Sequence, residues 1–121
     1  MKYLLMICAD ETADANLKPK DQQGMMVEYS RYTEAARQAG VYIGGEALHP
    51  TTSATTVRVK NGQTLTTDGP FAETKEQVGG FYLLDCKNLD EAIEWAAKIP
   101  HASLGSIEIR PVVDFSQTAI A

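Results

Sequence analysis

Two segments of the chain, Lys2–Cys8 (KYLLMIC) and Gly79–Asp85 (GGFYLLD), are apolar at odd and even positions alike. Successive side chains on a strand point to opposite faces. A strand of this kind therefore needs cover on both sides, and one layer of helices covers only one. This requirement limits the fold more than any other feature of the sequence.

The other segments arrange themselves around these two strands. Asp10–Lys20 is polar, contains Pro19, and reads as a loop. Asp21 is a helix cap, and the helix runs to Ala39. Met25/Met26, Tyr29, Tyr32/Thr33, Ala36 and Ala39 recur every three to four residues as its buried stripe. Gly40 is its stop. Val41–Leu48 reads as a strand, with Gly44-Gly45 marking a bulge or a close approach. Ala54–Lys60 and Gln63–Thr67 flank Asn61-Gly62, the residue pair of a type I′ hairpin turn. Asp68–Gln77 is a loop. Asn88 and Glu91 have capping-box spacing at the head of a second helix to Lys98, which buries Leu89, Ala92, Ile93 and Ala96. Pro100 stops that helix. Ser106–Val113 is the last strand, and residues 114–121 form a loosely held tail.

With the hairpin set aside as an insertion, the order is strand, helix, strand, strand, helix, strand. That is the ferredoxin-like βαββαβ order of an α+β domain, with both helices on one face of an antiparallel sheet. A length of 121 residues fits a single domain spanning 1–121. The second sheet face then lacks cover. Each large apolar side chain buried there is worth roughly 1.5–3 kcal/mol, so the expected cover is a second copy of the sheet, in an isologous homodimer. With Ile107 and Ile109 toward the helices, Glu108 and Arg110 point into the dimer cleft. With Val41, Ile43 and Ala47 toward the helices, Glu46 joins them, and Arg58 does so if Val57 and Val59 are packed. Two readings compete for these charges. They are cross-strand ion pairs that set register or interface, or they line a polar pocket where Glu46 accepts a proton and Arg58 or Arg110 binds an anion.

Several function classes are disfavoured. With 11 basic and 16 acidic residues the net charge is −5, a poor match for nucleic-acid phosphates. The opening apolar run is about seven residues long, too short for a signal peptide, and no run approaches the roughly 20 residues of a membrane span. A cytoplasmic protein is expected. Cys8 and Cys86 form no metal motif and are expected to pack as small hydrophobes. No P-loop, dinucleotide fingerprint or nucleophile elbow occurs, and neither a cofactor nor a metal is expected.

From Glu46 to Pro111 the sequence resembles the DGPF-domain branch of the YCII-related proteins. The resemblance is carried by Gly45-Glu46-x-Leu48-x-Pro50, Ala54-Thr55-Thr56-Val57-Arg58 and the run Thr67 to Glu76 (TDGPFAETKE). Gly79-Gly80-Phe81-Tyr82, Leu89-Asp90-Glu91-Ala92 and Gly105 to Pro111 (GSIEIRP) complete it. It implies a ferredoxin-like subunit in a dimeric α/β-barrel and, by likeness to some relatives, hydrolase or lyase chemistry on a small organic molecule. The site proposed for those relatives pairs a His in an R-P-x-H segment at the first helix with an Asp near the end of the second. Here the first helix has no His and the second ends Ala97-Lys98-Ile99-Pro100, so that pair does not carry over. The resemblance equally implies a rival role, as a noncatalytic partner of an extracytoplasmic-function sigma factor.

The candidate catalytic residues are Glu46, Asp68 and His49, and the candidate substrate-binding residues are Arg58, Arg110, Glu73 and Lys75. Asp68 opens Asp68-Gly69-Pro70-Phe71, whose plain reading is a turn with Phe71 pinned to the core. A lysine such as Lys75 nearby weakens Asp68 as a base and suits it to orienting a ligand. His49 titrates in the useful range but sits at a strand end. His101, after Pro100, is expected at the surface.

Overall fold

The structure, a computed structural model, describes residues 1–117. Its elements are β1 (Lys2–Ala9), α1 (Glu11–Ala15), α2 (Pro19–Gln38), β2 (Tyr42–Ala47), β3 (Thr55–Lys60), β4 (Gln63–Asp68), β5 (Gln77–Asp85), α3 (Leu89–Ala97) and β6 (Ser106–Pro111). This is an α+β chain. β2, β5, β1 and β6 form one antiparallel sheet in that spatial order, and β3 and β4 form a separate two-stranded sheet.

The register sorts the side chains into straight rows. Gly45, Tyr82, Leu5 and Ile109 align across the four strands, as do Tyr42, Leu84, Tyr3 and Pro111. These rows face the helices, and Tyr3, Leu5, Tyr82 and Leu84 are buried there with Tyr32 and Ala36 of α2 and Ala92 and Ala96 of α3. The alternate rows, Glu46–Phe81–Met6–Glu108 and Gly44–Leu83–Leu4–Arg110, lie on the opposite face. There Leu4, Met6, Phe81 and Leu83 are half-buried and the charged ends are exposed. Both β1 and β5 are thus apolar on two faces, and within the described residues only one of those faces carries helices.

The segment 10–20 departs from the loop expected of it. Asp10 accepts the amides of Thr12 (2.9 Å) and Ala13 (3.3 Å) and so caps α1. The second helix starts at Pro19 rather than at Asp21. Proline fits the first helical position because its missing N–H has no partner there to lose, and Asp21 instead lies in the first turn, where its charge complements the helix dipole. Met26 is 70% exposed, and the stripe that packs is Tyr29, Tyr32, Thr33 and Ala36. In α3, Leu89 and Ile93 are exposed while Ala92 and Ala96 are buried, because small residues let the helix sit close to the sheet. The Asn88 cap forms, accepting the Glu91 amide at 2.9 Å, and Glu91 returns a bond to the Lys87 amide.

β2 and β5 slip register between Tyr42 and Gly44. Ile43 is the extra residue and is 43% exposed, not directed at the helices. Gly45 meets the need for close approach, since a Cβ there would lie 2.8 Å from the Tyr82 ring and 2.8 Å from the Phe81 carbonyl oxygen. The Asn61-Gly62 turn has positive φ at both residues (53° and 75°), as expected for its type. The hairpin stands apart from the main sheet, so Val57 and Val59 remain exposed and Arg58 gains no packed neighbours from them. Phe71 is 82% exposed instead of pinned to the core, because the loop leaving this detached hairpin has no core within reach. β6 ends at Pro111 rather than Val113. Of the tail 114–121, residues 118–121 lie outside the described residues and Phe115–Gln117 form a 3-10 turn.

Candidate functional site

Beside α1 and α2, the helix-covered side of the sheet carries a half-open cavity of about 330 Å³. Five elements supply the polar part of its wall: Glu11 and Asp14 from α1, Tyr29 and Thr33 from α2, Glu46 from β2, Gln77 from β5, and His101 from the 3-10 turn Pro100–Ser103. Ile7, Ala9, Tyr42 and Tyr82 give it an apolar and aromatic floor.

α1 is placed by its carboxylates. Glu11 accepts the amide of Thr51 at 3.0 Å and also its hydroxyl, and the Glu11 amide donates to the Gln77 side chain at 3.1 Å. These bonds fasten the short helix across the ends of β2 and β5 and carry Asp14 over the cavity. Asp14 Oδ2 then lies 3.0 Å from His101 Nε2, while His101 Nδ1 lies 2.5 Å from the Tyr29 hydroxyl. The His101 side chain is only 13% exposed and tilts against the Tyr29 ring, with centroids 5.6 Å apart. A carboxylate, an imidazole and a phenol therefore form a continuous hydrogen-bonded line along the wall. Burial pushes the Tyr29 hydroxyl well above its ordinary range. A hydrogen bond with the His101 backbone opposes that shift, and the nearby Tyr82 and Asp14 add to it.

A second line runs beside the first. Thr33 Oγ1 donates to the Tyr29 carbonyl oxygen at 2.9 Å, so the 2.8 Å contact with Tyr82 has the tyrosine as donor. Tyr32, behind it, donates to the Trp95 carbonyl oxygen at 2.9 Å.

The residues singled out from sequence are dispersed. Glu46 borders the cavity, but its register places it in the row of Phe81 and Met6 on the open face. Asp68 and Glu73 line a shallower groove next to the cavity with Thr51, and Gln77 borders both. In that groove Gly69 (φ 106°) accepts the Thr56 hydroxyl at 2.8 Å and donates to the Ala54 carbonyl oxygen at 2.7 Å, so the Asp-Gly-Pro turn fastens the hairpin base. His49, Arg58 and Lys75 are exposed outside the cavity wall. Arg110 is on the open face, 3.5 Å from Glu108 two residues away on the same strand, in an exposed ion pair that joins no neighbouring strand. Of the residues selected from sequence only Glu46 lines the cavity; the hydrogen-bonded line of Asp14, His101 and Tyr29 was not selected as a site. Asp10 with Glu11 and Asp14 after it is a helix-start signal that could have placed Asp14. Nothing local marks His101, which is half-buried by partners far away in sequence.

Comparison with known proteins gives two findings. A family model described as "YCII-related domain" matches residues 1–116. An uncharacterized protein of Rhizobium meliloti (strain 1021) is 40% identical over 114 residues, covering 93% of this chain and 92% of that protein.

Proposed function

Since the chain belongs to the YCII-related family, we propose that it is a small-molecule enzyme of the acid–base kind, with the cavity beneath α1 and α2 as its site. The observation that carries this reading is the enclosed His101, bonded through one nitrogen to Asp14 and through the other to Tyr29. A positioned imidazole oriented by a carboxylate is a common device for moving a proton. The pair proposed for relatives does not carry over, and the acid–imidazole pair at this cavity is instead Asp14 of α1 with His101, which follows α3.

The wall also narrows the ligand. Glu11 and Asp14 line the cavity and no Lys or Arg does among the described residues, so a molecule without negative charge is the better match. Anion binding by Arg58 or Arg110 has no counterpart at this cavity.

The subunit is read as ferredoxin-like, supported by the β2-β5-β1-β6 strand order, and as part of the DGPF branch, supported by Asp68-Gly69-Pro70-Phe71. Two copies pack their open faces together in a dimeric α/β-barrel. The support is the apolar centre of that face, formed by Leu4, Met6, Phe81 and Leu83.

A thermal-shift screen against small metabolites sorted by charge tests the site. A ligand that binds the native state raises Tm by mass action. Uncharged or cationic compounds are expected to raise Tm in the native chain and to lose that effect in His101→Ala. If the only compounds that stabilise the protein are anions, or if His101→Ala responds to them unchanged, the reading fails, and a partner-protein role gains ground.

A further inference from the structure

We propose that the Tyr29 hydroxyl, and not the imidazole of His101, is the group that exchanges a proton with the molecule in the cavity, and that this molecule carries a weakly acidic hydrogen. The inference rests on the reading of the cavity as a small-molecule site.

Both nitrogens of His101 are occupied. A carboxylate only accepts, so the Nε2 facing Asp14 carries the hydrogen. In the neutral ring Nδ1 is then an acceptor, and Tyr29 donates to it. This network assigns the tautomer. The imidazole has no nitrogen left for a ligand, whereas the Tyr29 oxygen, its only hydrogen directed to Nδ1, lines the cavity as an acceptor. The other tyrosines in this region are committed differently: Tyr82 donates to Thr33 and Tyr32 to a backbone carbonyl oxygen. Of these three, Tyr29 is the one joined to a base.

The step balances without a co-reactant. The ligand X–H bond breaks and its proton joins Tyr29 Oη. The Tyr29 O–H bond breaks and that proton joins His101 Nδ1, while the electron pair of the X–H bond stays on X. The products are the conjugate base of the ligand, a neutral tyrosine, and an imidazolium facing the Asp14 carboxylate. The reverse sequence delivers a proton from Tyr29.

An uncharged acyl donor, 4-nitrophenyl acetate, reads out the same activated oxygen. Attack by Tyr29 Oη on the acetyl carbon forms an aryl ester, the hydroxyl proton passes to His101, and 4-nitrophenolate leaves. Peptide mass spectrometry over time is expected to show Tyr29 acetylated at least about tenfold faster than Tyr42, and Asp14→Asn slowing that labelling by roughly tenfold or more. Tyr29→Phe removes the modified peptide, and circular dichroism confirms that each variant is folded. Acetylation of His101 in place of Tyr29 would overturn the inference and leave the cavity reading standing. Modification of Tyr29 at the rate of Tyr42, unchanged by Asp14→Asn, would overturn it too. Labelling of exposed lysines such as Lys60 and Lys75 with no cavity residue modified would overturn both.

Discussion

Tyr29, Tyr32 and Tyr82 meet between α2 and the sheet, and burial raises all three hydroxyls above their ordinary range. The consequence is a defined pH dependence. The unfolded chain releases its phenolic protons near pH 10, and the folded chain holds them to higher pH. Above that point the unfolded state binds fewer protons than the native state, so stability falls as pH rises. Below it the contribution is fully present. Each such tyrosine adds a slope of about 1.4 kcal/mol per pH unit while only the unfolded form ionises. Urea unfolding from about pH 9 to 11 is expected to show this fall, with a shallower slope in Tyr29→Phe; equal slopes would contradict the assignment. The same residues show where sequence reading stops. Tyr29 and Tyr32 were visible as part of a helical stripe. That Tyr29 ends a line from Asp14 through His101 was not, because those bonds join residues 72 and 87 positions apart. Periodicity and caps report neighbours within a few positions, and neither reaches that far.

At the scale of elements, the β2–β5 contact positions the cavity floor. Gly45 lets the Tyr82 ring lie against the β2 backbone, whereas a Cβ at Gly44 meets nothing within 4 Å. Gly45→Ala forces backbone or ring to move and is expected to cost roughly 1–3 kcal/mol, as overpacking does. Gly44→Ala is expected to stay within about 0.5 kcal/mol. Urea midpoints of the two variants compare them directly, and equal losses would mean the ring does not rest on Gly45. Much at this scale was legible. The strands, the Asn61-Gly62 turn and the Asn88 cap follow from local chemistry, and Gly44-Gly45 announced an irregular strand. α1 was missed because five residues cannot display an apolar period. The hairpin was read as an insertion, but the exposure of Val57 and Val59 was not legible, because alternating valines look the same whether or not another layer covers them.

At the scale of the whole molecule, the four-stranded sheet has two unlike faces. One carries the helices and the cavity. The other presents Leu4, Met6, Phe81 and Leu83 between the charged ends Glu46, Glu108 and Arg110. Doubly apolar strands made a second cover the natural expectation, and the proposed cover is a second copy making isologous contacts. Light scattering at micromolar concentration is expected to report twice the 13.2 kDa chain mass, and Met6→Asp to halve it by placing a charge at the centre of the face. A single-chain particle for the unaltered protein would remove the dimer and leave the cavity, which lies on the other side of the sheet. The cavity is the central claim. Backbone-amide shift mapping of isotope-labelled protein, titrated with uncharged, cationic and anionic fragments, asks every part of the chain at once where a small molecule settles. The account predicts that uncharged or cationic fragments move Asp14, Tyr29, Thr33 and His101 together. Fragments that bind only the open face around Leu4 and Met6, or only the hairpin, and leave His101 unmoved would contradict it.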